Sequence, residues 1–136
     1  MKSLIVFFSR TGNTRKIADK LSLITGSEKE DVEEGKDTGD IKDYPVIFLL
    51  SPVWDGRLPG PVRSYVAKRD WRGKKIYPLI TNGGLMGSIY PEIISLCKGG
   101  RVDEPLSVRF IFEDQKTEDP EIEAWAGRIM RSNLMF

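Results

Sequence analysis

Apolar residues recur along this chain with two periods, and the switches between them mark out its elements. Leu4 to Phe8 is an unbroken apolar run of β-favouring residues, the pattern of a strand buried on both faces. Helical spacing follows, with Ile17, Leu21 and Ile24 on one face, Ala18 beside them and Gly26 where a C-terminal stop belongs. Residues 27–44 carry little apolar signal. The pattern there allows a short polar edge strand around Glu30 to Glu33 or a solvated charged loop, then about one helical turn from Asp40 to Tyr44.

Val46 to Leu50 reads as a central strand. A long loop, Ser51 to Gly60, leads to a helix opened by Pro59 and Pro61 and buried through Val62, Tyr65 and Val66. Lys74 to Thr81 predicts a fourth strand, in which Pro78 demands an irregularity in the ladder. A helix from about Ser88 to Lys98 turns Ile89, Ile93, Leu96 and Cys97 inward and stops at Gly99-Gly100. Leu106 to Phe112 alternates, with Leu106, Val108, Phe110 and Phe112 on one side, as suits a sheet edge. The last helix opens at Asp119-Pro120 and buries Ile122, Trp125, Ala126 and Ile129.

Strands alternating with helices predict an α/β fold with a doubly wound, five-stranded parallel sheet and helices on both faces, a three-layer sandwich. The most apolar strands are one, three and four, which fits the order 2-1-3-4-5 and puts the switch point between strands one and three. Ligands of such sheets bind there, at the carboxyl ends. The 136 residues suit a single domain spanning 1–136.

Composition narrows the chemistry. There is one cysteine, Cys97, and no histidine, which excludes intrachain disulfides, cysteine-rich zinc sites and any histidine-based triad or general base. Cys97 reads as a small buried hydrophobe. Redox chemistry would need a borrowed cofactor. A formal charge of +1 and the lack of a basic stripe argue against nucleic acid. No apolar run spans a membrane and the N-terminus lacks a signal-peptide pattern, so a cytoplasmic protein is expected.

The three loops at the predicted switch point are rich in glycine, hydroxyls and aromatics. In the first, Ser9, Thr11 and Thr14 with Gly12 and Asn13 open a helix, whose unpaired amides and roughly +0.5 charge favour an anion. Capping alone needs fewer hydroxyls. The second carries Pro52, Val53, Trp54, Asp55 and Gly56, and the third Thr81, Asn82, Gly83, Gly84 and Gly87. A phosphate loop, a tryptophan loop and a glycine loop at one crevice call for a ligand with a phosphate at one end and a flat ring at the other. Flavin mononucleotide (FMN) fits that description.

With the motifs Ser9-Arg10-Thr11-Gly12-Asn13-Thr14, Ser51-Pro52-Val53-Trp54-Asp55-Gly56 and Thr81-Asn82-Gly83-Gly84, the chain resembles the flavodoxin family nearly end to end. The resemblance implies an FMN protein with no catalytic residue and no metal. By it, Ser9, Thr11, Asn13 and Thr14 with the amides of Arg10 and Gly12 would hold the phosphate, and Trp54 would stack on the ring. Asp55-Gly56 would offer a backbone carbonyl to the ring, and Asn82, Gly83 and Gly84 would meet its pyrimidine edge through backbone groups. Leu85 and Met86 stand where many members carry a second stacking aromatic. Low-molecular-weight phosphatases, response regulators, P-loop NTPases and Rossmann dinucleotide sites are each excluded by a missing residue or motif.

The function expected is electron transfer between redox partner proteins. The alternatives are an NAD(P)H- or quinone-dependent reductase of the same fold, and a regulatory module with an empty site. Glu33, Glu34, Asp37, Asp55, Glu113 and Asp114 are expected at the carboxyl-end rim, where they would steer a basic partner; Lys68, Arg69, Arg72, Lys74 and Lys75 are expected at the other rim.

Overall fold

The structure, a computed structural model, describes residues 2–34 and 41–134. In chain order its main elements are β1 (Ser3–Phe7), α1 (Asn13–Thr25), β2 (Glu28–Asp31), β3 (Val46–Pro52), α2 (Gly60–Ala67) and β4 (Lys75–Asn82). Then come α3 (Ile89–Leu96), β5 (Arg101–Val102), β6 (Leu106–Ile111), β7 (Asp114–Gln115) and α4 (Asp119–Leu134). The main path of the sheet runs β2-β1-β3-β4-β6-β7, and β5 pairs with β4 off that path. Its first five members give the expected 2-1-3-4-5 order in parallel, with the switch point between β1 and β3.

Two short strands were not legible. β7 folds back on β6 as an antiparallel hairpin, so the sheet is not purely parallel. β5 resolves the difficulty of Pro78. The outer edge of β4 pairs with β5 at Lys75 and Ile76 and with β6 from Leu79 onward. The Ile76 carbonyl accepts from the Asp103 amide, so Ile76 faces that edge, and by alternation so does Pro78. The missing N–H of Pro78 thus falls in the gap between two partner strands, where no ladder bond is lost.

β2 lies three residues from α1 and ends at Asp31, two residues earlier than the acidic pattern suggested. A single 3₁₀ turn, Ile41–Asp43, precedes β3; Asp37 and Asp40 lie outside the described residues.

Alternate residues of each strand feed two cores. Leu4, Val6, Phe8, Ile47 and Leu49 pack with Val62 and Val66 of α2 and Ile89 and Ile93 of α3. Ile5, Phe7, Phe48 and Leu50 pack with Ile17 and Leu21 of α1 and Ile122, Trp125 and Ile129 of α4. Phe48 meets Trp125 at 5.8 Å and Tyr77 at 6.0 Å between ring centroids. Ile24, expected on the buried face of α1, is instead partly exposed, at 39%, near the helix end at its left-handed Gly26 cap. Cys97 is buried, and that burial pushes its thiol up to about 12, consistent with a packing role.

Candidate ligand-binding site

The β1–α1 loop is shaped by Gly12, whose φ of 99° puts the N-cap in the left-handed region. No side chain caps the helix, and no acid stands in its first turn. Its positive end is therefore left uncompensated. The Gly12 amide donates to Ser9 Oγ at 3.1 Å, which closes the loop on itself. Thr14 is buried, and its hydroxyl shares a 2.8 Å hydrogen bond with that of Thr81, tying this loop to the end of β4. Asn13 Nδ2 donates to the Phe112 carbonyl at 2.7 Å.

The tryptophan loop turns on Asp55 and Gly56. Trp54 and Arg57 exchange both backbone hydrogen bonds, at 2.9 and 3.0 Å, across a two-residue turn. Both central residues have positive φ, 52° and 74°, the type I′ pattern for which Asp-Gly is a preferred pair. Trp54 is 38% exposed and meets the buried Phe8 edge-on at 5.4 Å. The Arg10 guanidinium sits 5.2 Å from the Trp54 ring centroid and pairs with Glu33 at 3.4 Å. The arginine side chain thus has a place in the site beyond the backbone role read from sequence.

Two contacts fix this turn from the residues that lead into α3. The Gly56 carbonyl accepts from the Ser88 amide at 2.9 Å and from its hydroxyl at 3.3 Å, and a Cβ on Gly87 would lie 2.3 Å from Gly56 Cα. Gly87 serves this close approach. Glu92 accepts from the Leu58 amide and from Arg63 Nε, both at 2.8 Å. Burial pushes the Glu92 carboxyl up, but those donors and the charges of Arg63 and Arg57 outweigh it and hold the carboxyl below its ordinary range.

In the third loop the buried Asn82 side chain donates to the Ile80 carbonyl at 3.0 Å and to Ser107 Oγ at 2.8 Å, and accepts from the Gly84 amide at 2.9 Å. It shapes the loop from within. Gly84 completes the bend at φ 134°.

The three loops enclose one cleft of about 250 Å³. Of the expected residues, Arg10, Thr11, Asn13, Thr14, Pro52, Val53, Trp54, Thr81, Asn82 and Gly83 line it. Ser9 and Gly12 close the first loop beside that lining, Asp55 and Gly56 form the tip of the turn, and Gly84 and Gly87 lie further along the third loop. Phe110 and Phe112 also line the cleft and were missed as site residues. Alternation placed Phe112 in the strand with Phe110, yet β6 ends at Ile111 and Phe112 enters the hairpin turn at φ 53°. No glycine, asparagine or proline marks that turn.

An uncapped helix N-terminus with no acid in its first turn and a half-exposed indole, within one cleft, suit a ligand that joins an anion to a flat ring. The profile described as a flavodoxin domain matches residues 4–85, more than half of the chain and all three loop motifs up to Leu85. The chain belongs to the flavodoxin family. Solved structures agree on the fold. Oxidised flavodoxin 2 from Bacillus cereus superposes with a TM-score of 0.71 at 21% identity, each chain covered over 100% of its length. Fusobacterium nucleatum flavodoxin bound to flavin mononucleotide gives 0.69 at 15% identity, over 97% of this chain and 99% of that one. A Bacteroides eggerthii DSM 20697 protein described as a flavoprotein gives 0.75 at 19% identity, over 95% and 98%.

Proposed function

We propose that the chain is an FMN-dependent electron carrier that passes electrons between redox partner proteins. The carrying observation is the cleft itself, in which an uncompensated helix N-terminus and a half-exposed tryptophan lie side by side. Ser9, Thr11 and the first amides of α1 would receive the phosphate, helped by the dipole. Thr14 and Asn13 would hold that loop to Thr81 and Phe112 while lining it. Trp54 would cover one face of the ring, and Gly83 would meet its edge through the backbone. Since the Gly56 carbonyl is taken by Ser88, the turn's carbonyl for the ring is that of Asp55. Bound flavin supplies reversible electron transfer that no side chain here supplies.

At about 250 Å³ the cleft is smaller than the 300 Å³ or more that usually encloses a drug-sized ligand. An edge of the ring would therefore stay in solvent, where a partner protein can approach. Leu85, 84% exposed in the third loop, favours a second reading, in which a small NAD(P)H or quinone substrate stacks on an unguarded flavin. Stopped-flow mixing separates the two. A carrier, once loaded with FMN, is reduced slowly by NADH or NADPH alone and quickly when a flavoprotein reductase is added; fast reduction by the nucleotide alone contradicts the carrier reading.

A further inference from the structure

We infer that Phe112 is an aromatic contact of the bound ring, closing the cleft from the β6 side; the inference rests on the FMN reading above. Ile111 pairs with Asp114, so Phe112 and Glu113 form a two-residue hairpin turn. Positive φ is confined to the first of them, Phe112 at 53°, the pattern of a type II′ turn. That position is one glycine fills without strain, whereas a bulky side chain there is an outlier. Phe112 is also 92% exposed, so no burial within the protein offsets the strain. An aromatic kept under strain yet outside the core points to a contact with something else.

The surroundings say what that contact is. Phe112 lines the same cleft as Trp54, and its carbonyl is fixed by Asn13 Nδ2 at 2.7 Å, so the turn is anchored to the loop that opens α1. β3, which leads to Trp54, and β6, which leads to Phe112, flank β4. With strands about 4.8 Å apart their ends stand roughly 10 Å from each other. A flat ring between two aromatic faces, at about 3.5 Å from each, needs about 7 Å. The β6 hairpin therefore offers a second aromatic wall that the loop after β4, with Leu85 and Met86, lacks.

The test titrates the apoprotein with FMN and with riboflavin, which has the ring but no phosphate, following flavin fluorescence and visible circular dichroism. Phe112→Ala and Phe112→Gly should weaken both ligands by about ten-fold and to the same degree, while Phe112→Tyr stays within about two-fold of the wild type. Because glycine suits the turn, apo Phe112→Gly should melt no lower than the wild type, which separates contact from folding. Alanine and glycine variants that bind both flavins as the wild type does would overturn the inference. So would a loss confined to FMN, which would place Phe112 against the phosphate. A wild-type protein that binds neither flavin would instead refute the FMN reading itself, and the inference with it.

Discussion

Trp54 rests edge-on against Phe8 and beneath Arg10, above the core and not inside it. Replacing it by alanine opens no internal cavity, so Trp54→Ala should cost the apoprotein about 1 kcal/mol or less in urea denaturation. FMN affinity should fall about ten-fold in the same variant, as loss of an aromatic face implies. A loss of several kcal/mol in the apoprotein would place the indole in the core. Gly87 makes the opposite case. At φ 59°, with Gly56 Cα 2.3 Å from where its Cβ would stand, it has no room for a side chain. Gly87→Ala should therefore destabilise the apoprotein by about 1–3 kcal/mol and weaken FMN, because the tryptophan turn must shift. Unchanged melting and unchanged binding would show that the two glycines are not packed as described.

Between elements, Glu92 of α3 holds the start of α2 by accepting from Leu58 and Arg63. Its carboxyl is lowered in the folded state from an ordinary 4.5, so its contribution is fully present above about pH 4.5 and is lost as pH falls through the lowered folded value. Urea denaturation across pH 3–7 should show the wild type losing more stability below about pH 4.5 than Glu92→Gln, whose profile lacks this titration. Parallel profiles would remove Glu92 from the account. At neutral pH the same substitution should cost about 1–3 kcal/mol, since it weakens two charge-assisted hydrogen bonds. The elements that such contacts join were largely legible in the sequence where apolar periodicity was strong. Leu4 to Phe8, Val46 to Leu50 and the face of Ile122, Trp125 and Ile129 could pack in few other ways. What was not legible depends on partners distant in sequence. The two-residue β5 exists because β4 has an edge to fill, and Phe112 leaves its strand because β7 folds back. In the site, the loops and ten lining residues could be read from residue type, but not that the buried Asn82 braces its own loop or that Ser88 takes the Gly56 carbonyl.

For the whole molecule, the acids at the site end are less free than their count suggests. Glu33 pairs with Arg10 at 3.4 Å, Glu34 with Arg15 at 3.7 Å and Asp114 with Lys116 at 2.6 Å. At the other end Lys74 is buried, donating to the Ile41 and Tyr44 carbonyls, and is a strut for the connection into β3. Steering of a basic partner should therefore be modest. Reduction of cytochrome c, a basic acceptor, by the reduced FMN-loaded protein should slow as salt rises from about 0.01 to 0.15 M, where the Debye length falls from roughly 30 to 8 Å. Glu113→Lys with Asp114→Lys should slow it further at low salt only; rates indifferent to both changes would leave the charge distribution without a role in docking. Among the described residues no helix is long and apolar enough to cross a membrane. Everything at this scale depends on one cofactor in one cleft, and the decisive measurement is a titration of the apoprotein with FMN, read by quenching of tryptophan and flavin fluorescence. Binding should saturate at one FMN per chain with micromolar or tighter affinity, and the tryptophan quenching at saturation should be smaller in Trp54→Ala, which keeps only Trp71 and Trp125. No binding at micromolar FMN, or binding and quenching that Trp54→Ala leaves unchanged, would contradict the FMN reading.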